Sequence, residues 1–336
     1  MRLAAAAALA VSLSACATAP QGLPPASVFA VAETEPVGTA AQDAADDPAI
    51  WRNAADPAAS LIVGTDKKSG LHVYDLTGRT LFSETSGLIN NVDLAELPDG
   101  RVIVVASDRN ELANAMLRAW QLDTATGALR LIGTVPGGAG EGYGFCLRRE
   151  GDAVHAFSAL KSGKVEEYRL TFPATGVEAQ HLRTRLIPSQ IEGCVADPRD
   201  GTLYVGEETG GLWRFGAETT QGELVVPIDN RMLVADLEGL ALLPVGETGG
   251  YLVASSQGDN AYAMFRLPDL TPAGRFRIAA GRFGATEETD GIELTAGDFG
   301  PDFPEGLFVA QDGHNAPRAQ NFKLVSWKAI REALGL

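Results

Sequence analysis

Short apolar runs broken by glycine, proline, aspartate and asparagine recur along most of this chain. Ser60 to Thr65, Arg101 to Ser107, Ala153 to Leu160, Thr202 to Glu207, Tyr251 to Ser255 and Gly306 to Gln311 read as β-strands. After each comes a further run with an aromatic near its end: Leu71 to Leu76, Leu117 to Leu122, Val165 to Leu170, Gly211 to Phe215, Tyr262 to Leu267 and Phe322 to Trp327. Asp99-Gly100, Thr77-Gly78 and Asp200-Gly201 supply hairpin turns, so the runs pair antiparallel. Trp327 to Leu336 is the one segment predicted to be helical.

These runs belong to a unit that repeats every 45 to 50 residues or so, the period of a propeller blade. The unit starts are Asp47-Pro48-Ala49-Ile50-Trp51, Asn91-Val92-Asp93-Leu94, Glu141-Gly142-Tyr143-Gly144-Phe145, Ile191-Glu192-Gly193-Cys194, Leu237-Glu238-Gly239-Leu240 and Asp290-Gly291-Ile292-Glu293. An isolated four-stranded sheet cannot bury both faces, and radial stacking solves this with only short edges exposed. The expected fold is therefore all-β, a six-bladed β-propeller with antiparallel four-stranded blades. Val28 to Thr34 alternates ahead of the first blade and is expected to pair with the last one, clasping the chain ends.

The N-terminus is of another kind. Arg2, an apolar run from Leu3 to Leu13 and then Leu13-Ser14-Ala15-Cys16 read as an export signal too short to span a bilayer. Leu-Ser-Ala-Cys resembles the lipobox of bacterial lipoproteins, which implies that Cys16 is lipidated and that residues 1–16 are the signal. Residues 17–27, rich in Ala, Pro and Thr, read as a tether, and residues 28–336 as one propeller domain. Ala17 after the cysteine, with no aspartate there, resembles an outer-membrane sorting signal, so the outer membrane or periplasmic face is the expected location. The lipid is the one membrane contact expected, and the propeller is expected to be a monomer.

The formal charge of -16 and pI near 4.7 come with no basic stripe, which argues against nucleic acid as a partner. Cys146 and Cys194 remain beyond Cys16; in an oxidising compartment they can pair, the other reading being two buried thiols. The innermost strand of each blade lines a central channel, so the acidic unit starts aim a ring of carboxylates at one end of it. Like charges so close favour bound cations. Oxygen-only ligands in an irregular array suit calcium, and no Cys or His cluster exists for zinc. His72, His155, His181 and His314 are scattered and read as structural.

Several motifs together resemble the β-propeller phytases, the calcium-dependent alkaline phytases of bacteria. They are Asp46-Asp47-Pro48-Ala49-Ile50-Trp51, Thr65-Asp66-Lys67-Lys68-Ser69-Gly70-Leu71, Asn90-Asn91-Val92-Asp93, Tyr143-Gly144-Phe145, Glu192-Gly193, Glu207-Glu208 and Asp236-Leu237-Glu238-Gly239-Leu240. Ser255-Ser256-Gln257-Gly258, Thr289-Asp290-Gly291-Ile292, Phe308-Val309-Ala310-Gln311-Asp312-Gly313 and Gln320-Asn321-Phe322-Lys323 complete the set, which spans the chain from Val28 onward. The resemblance implies several calcium ions on Asp46, Asp47, Glu192, Glu208, Asp236, Glu238 and Asp290, with Glu33 a weaker candidate. It implies substrate binding by Lys67, Lys68, Arg109, Tyr143 and Lys161, and catalysis by Lys67, Arg109, Tyr143, Lys161 and Glu192. Where many members carry Glu after the second lysine, this chain reads Lys161-Ser162-Gly163.

The implied activity is hydrolysis of phosphate monoesters of myo-inositol hexakisphosphate, or of related inositol phosphates as calcium complexes, by attack of a metal-bound water. Calcium would neutralise protein carboxylates and substrate phosphates together, which reconciles an acidic protein with a polyanionic substrate. Two rivals stand beside it: a calcium-dependent propeller lactonase or esterase, which has no need of the basic cluster, and a non-catalytic binding module, which calls for exposed aromatics.

Overall fold

The computed structural model describes residues 21–40 and 43–336, so the expected signal and the Cys16 lipidation site lie outside the described residues. Six sheets form the blades of a β-propeller. Their innermost strands are Ala45–Trp51, Ile89–Glu96, Gly142–Glu150, Ile191–Ala196, Leu237–Val245 and Ile292–Ala296. All six begin within two residues of a unit start read from the sequence.

The core lies between blades. Six apolar clusters each join residues of two adjacent sheets; one unites Ala241, Val253 and Phe276 of the fifth blade with Ile292, Phe308 and Val325 of the sixth. The predicted tail helix spans Trp327–Leu334 and covers this cluster with Trp327 and Ile330. Between the third and fourth blades, the fully buried guanidinium of Arg185 lies 5.7 Å from the centroids of both Phe157 and Phe215, and its charge meets Glu167 at 2.7 Å. The same two blades are joined at their innermost strands by the Cys146–Cys194 disulfide, with Cα atoms 5.7 Å apart.

Ring closure differs from the expectation in one respect. Ala32–Glu33 pairs antiparallel with Asn321–Ser326 as the outer strand of the sixth blade, as the clasp requires. Ala26–Phe29, however, runs parallel to Thr271–Ala279 and adds a fifth strand to the fifth blade. The segment thus bridges two blades, because each leaves an outer edge of unpaired backbone that an extended chain can cover. Packing also begins before Val28: the Gly22 N–H donates to Asp259 Oδ2 at 2.8 Å and the Leu23 N–H to the Arg231 carbonyl at 2.8 Å. At the clasp, the fully buried Lys323 ammonium contacts Glu33 at 2.7 Å and Asp312 at 3.0 Å.

Candidate active site

The glycines at the unit starts have a packing reason. A Cβ on Gly144 would lie 1.7 Å from the Glu192 carbonyl, one on Gly193 2.2 Å from the Glu238 carbonyl, and one on Gly239 2.6 Å from the Asp290 carbonyl. Around the channel, then, each glycine lets the backbone of the next blade approach at the level of that blade's acid. The Gly239 N–H donates to the Asp290 carbonyl at 2.8 Å and the Gly291 N–H to the Asp46 carbonyl at 3.0 Å, which holds the acids in one ring.

A second ring surrounds the first. The residue following, or nearly following, each blade's second strand donates its N–H to the carbonyl of a residue that precedes the innermost strand: Lys67 to Ala44, Arg109 to Leu88, Lys161 to Glu141, Glu208 to Gln190, Gln257 to Asp236 and Gly313 to Glu287. These six positions are equivalent. Blades one to three place a cation there; blades four to six place Glu, Gln and Gly.

Both rings open into a cavity of about 850 Å³, with Asp43, Lys67, Tyr143, Glu192, Glu208 and Asp236 in its wall beside Glu238 and Asp290. Carboxylate oxygens of Glu192, Glu208 and Glu238 lie within 4.8 Å of one another. Lys67 Nζ sits 2.8 Å from Asp290, 2.9 Å from Asp43 and 3.3 Å from Asp46. Two cations contact the Tyr143 ring, Lys161 Nζ at 4.8 Å and the Arg109 guanidinium carbon at 5.6 Å from its centroid.

Burial raises Glu192 and Glu238 well above the usual carboxylate range, with the charge of Asp46 adding to it for Glu192 and that of Asp290 for Glu238. Burial also raises Asp46 and Glu208, and it brings Asp290 to about 7 against the opposing pull of Lys67. The Lys67 ammonium, disfavoured by burial, is nonetheless held above its ordinary value by Asp46, Asp290 and Asp43. Burial and then Glu192 raise Tyr143, so its phenol stays protonated and able to donate. Asp46 Oδ1, Asn90 Oδ1 and Glu238 Oε2 are buried acceptors with no donor among the described residues. Oxygen acceptors left without donors, beside carboxylates that repel each other, fit a hard divalent cation.

Of the residues picked from sequence, the cavity wall contains Lys67, Tyr143, Glu192, Glu208, Asp236, Glu238 and Asp290. Asp46 lies behind Lys67, and Arg109 and Lys161 flank Tyr143. Asp47 is set apart: its Oδ2 accepts the Val92 N–H at 3.0 Å, and burial and Asp46 raise its carboxyl. Lys68 is exposed at the hairpin tip, and Glu33 belongs to the clasp with Lys323 and Arg318. Sequence reading missed Asp43, Gln190, Gln257, Asn260 and Glu288 in the wall. Gln257 had a signal, since its amide bonds Asp290 Oδ1 at 2.7 Å from within the quoted Ser255-Ser256-Gln257-Gly258 motif. Three histidines make contacts within their blades: His72 with Ser83, His155 with Glu167, and His181 with Glu166. His314 differs in place, because the connection that carries it turns into the cavity wall.

A ring of carboxylates faced by cations at the mouth of a six-bladed propeller suits a ligand that combines anionic groups with bound cations. The phytase family profile matches residues 1–336. A curated 3-phytase of Bacillus subtilis (strain 168) is 40% identical over 329 residues, covering 92% of this chain and 85% of that protein. The chain belongs to the phytase family, and it is an enzyme. A solved structure titled Crystal Structure of Mitotic Checkpoint Complex superposes with a TM-score of 0.51 at 12% identity, covering 96% of this chain and 86% of that one. That likeness concerns the fold alone.

Proposed function

We propose that this protein is a calcium-dependent phytase that removes phosphate from myo-inositol hexakisphosphate at the acidic mouth of its channel. The observation that carries the reading is the placement of Lys67, Arg109 and Lys161 at equivalent positions of three consecutive blades, beside Glu192, Glu208 and Glu238. Glu192, Glu208, Asp236, Glu238, Asp46 and Asp290 would hold the cation. Bound calcium would supply positive charge to the phosphate and acidify water near it. Lys67 and Arg109 orient equatorial phosphate oxygens, and the neutral Tyr143 phenol donates a hydrogen bond to them. Lys161, 4.8 Å from the Tyr143 ring centroid, supplies charge to a neighbouring phosphate. A lactonase has no use for three cations around the acids.

The experiment is phosphate release from inositol hexakisphosphate at graded free calcium, for wild type and Glu192→Gln, with circular dichroism on the same samples. Release should vanish on chelation while the fold persists, and Glu192→Gln should need more calcium. Full activity of the folded, calcium-free protein would reject calcium dependence; no release at any calcium level would reject the phytase reading.

The lipid anchor at Cys16 and the outer-membrane or periplasmic location are part of the same proposal, supported by Leu13-Ser14-Ala15-Cys16. Cys16→Ser should move active enzyme from the membrane fraction to the soluble fraction; retention after a salt wash would argue for another contact.

A further inference from the structure

Gly313 holds, in the sixth blade, the position that Lys67, Arg109 and Lys161 hold in the first three. It opens the longest of the six equivalent connections, eight residues between the strands Gly306–Asp312 and Asn321–Ser326. His314, Asn315, Ala316, Arg318 and Ala319 of this connection face the cavity. A cation, which blades four and five lack at this position, thus reappears on blade six as Arg318. In a ring of six, that blade stands opposite the third, which carries Tyr143 and Lys161.

The connection is pinned in place. The Gln320 amide donates to the Gly313 carbonyl at 2.8 Å, and its oxygen accepts the N–H groups of Ala44 at 2.6 Å and Ala45 at 2.9 Å. Asn315 Nδ2 donates to the Ala319 carbonyl at 2.8 Å. Arg318 commits only one nitrogen: Nη2 reaches Glu33 at 2.5 Å and Asn315 at 3.4 Å. Its Nε and Nη1 have no partner among the described residues, and neither has the exposed His314 ring. A guanidinium held by one arm at a cavity wall of carboxylates presents its remaining donors to an anion.

We propose that Arg318 and His314 form an anion subsite across the cavity from Tyr143, which selects substrates carrying phosphates on opposite sides of one ring. The inference rests on the phytase reading and deepens it. A single phosphate held at Tyr143, on the third blade, cannot also touch the opposite sixth blade, whereas a ring phosphorylated all round can touch both walls. The subsite then contributes to recognition of highly phosphorylated substrates and loses its ligand as phosphates are removed.

The test compares kcat/KM for inositol hexakisphosphate with kcat/KM for nitrophenyl phosphate at saturating calcium. Losing a hydrogen bond to a charged partner should lower that ratio by about tenfold or more in Arg318→Ala and less in His314→Ala, with partial recovery in Arg318→Lys. An unchanged ratio in both alanine variants overturns the subsite. Thermal melting monitors the clasp at Glu33, and His314→Ala carries the same test should Arg318→Ala melt early. If wild type releases no phosphate from the hexakisphosphate, the phytase reading falls. Calorimetric binding of inositol hexakisphosphate then decides the subsite, equal affinities for wild type and Arg318→Ala overturning it.

Discussion

Lys67 Nζ lies 2.8 Å from Asp290 Oδ2, so one ion pair joins the first blade to the last at the mouth of the channel. The same ammonium contacts Asp46 and Asp43, and it is the one lysine in the cavity wall among the described residues. A cation placed to meet transition-state charge in a dry site is worth several kcal/mol. Lys67→Ala should therefore lower kcat for phosphate release by about a hundredfold to a thousandfold, by analogy with loss of an oxyanion donor. Steady-state kinetics with matched circular dichroism would check this, and a loss below threefold would remove Lys67 from catalysis.

The channel acids make stability depend on pH. Burial raises Asp93 to about 6, and burial with the nearby Asp93 charge raises Glu293 to about 8. Asp290 stands at about 7. In the unfolded chain such groups titrate near about 4, so between about 4 and about 8 the folded state binds more protons and stability falls as pH rises. Protein stripped with a chelator should melt lower at about pH 8.5 than at about pH 6, and added calcium should raise the melting point more at the higher pH. Scanning calorimetry showing the opposite trend would contradict protonated carboxyls in the ring.

Gly193 tests the link between packing and the site. Its substitution by alanine puts a methyl group 2.2 Å from the Glu238 carbonyl, on backbone that cannot yield cheaply. Overpacking of this kind costs about 1 to 3 kcal/mol. Because Glu192 and Glu238 move with that backbone, the apparent calcium affinity should fall too. Urea unfolding and a calcium titration of activity would measure both; a variant normal in both would show that the close approach is not needed.

The Cys146–Cys194 bond closes a sequence separation of 48 residues. Loops of that length give a stabilisation of about 2 to 4 kcal/mol when closed. Replacing both cysteines by serine should lower unfolding stability by that amount, with the catalytic residues still in place. Equal midpoints for the variant and wild type under oxidising conditions would rule the bond out as a stabiliser.

The sequence by itself determined the blade count, the innermost strands and the acidic ring. Blade period, strand alternation and Asp-Gly turns are local properties, and each acid-glycine pair sits within its own repeat. Lys67, Glu192 and Glu238 were legible because each lies in a short motif at a strand end. Only the tertiary structure decided the rest. The split of residues 26–33 between two blades, Asp43 on Lys67 and the cavity-facing turn of His314 and Arg318 depend on which blades become neighbours when the ring closes. The fourth strands had weak patterns, since outer strands such as Glu178–Leu186 are largely solvent-exposed and carry little apolar alternation. Closure brings residue 33 to residues 318 and 323, and no local pattern encodes a contact across nearly the whole chain.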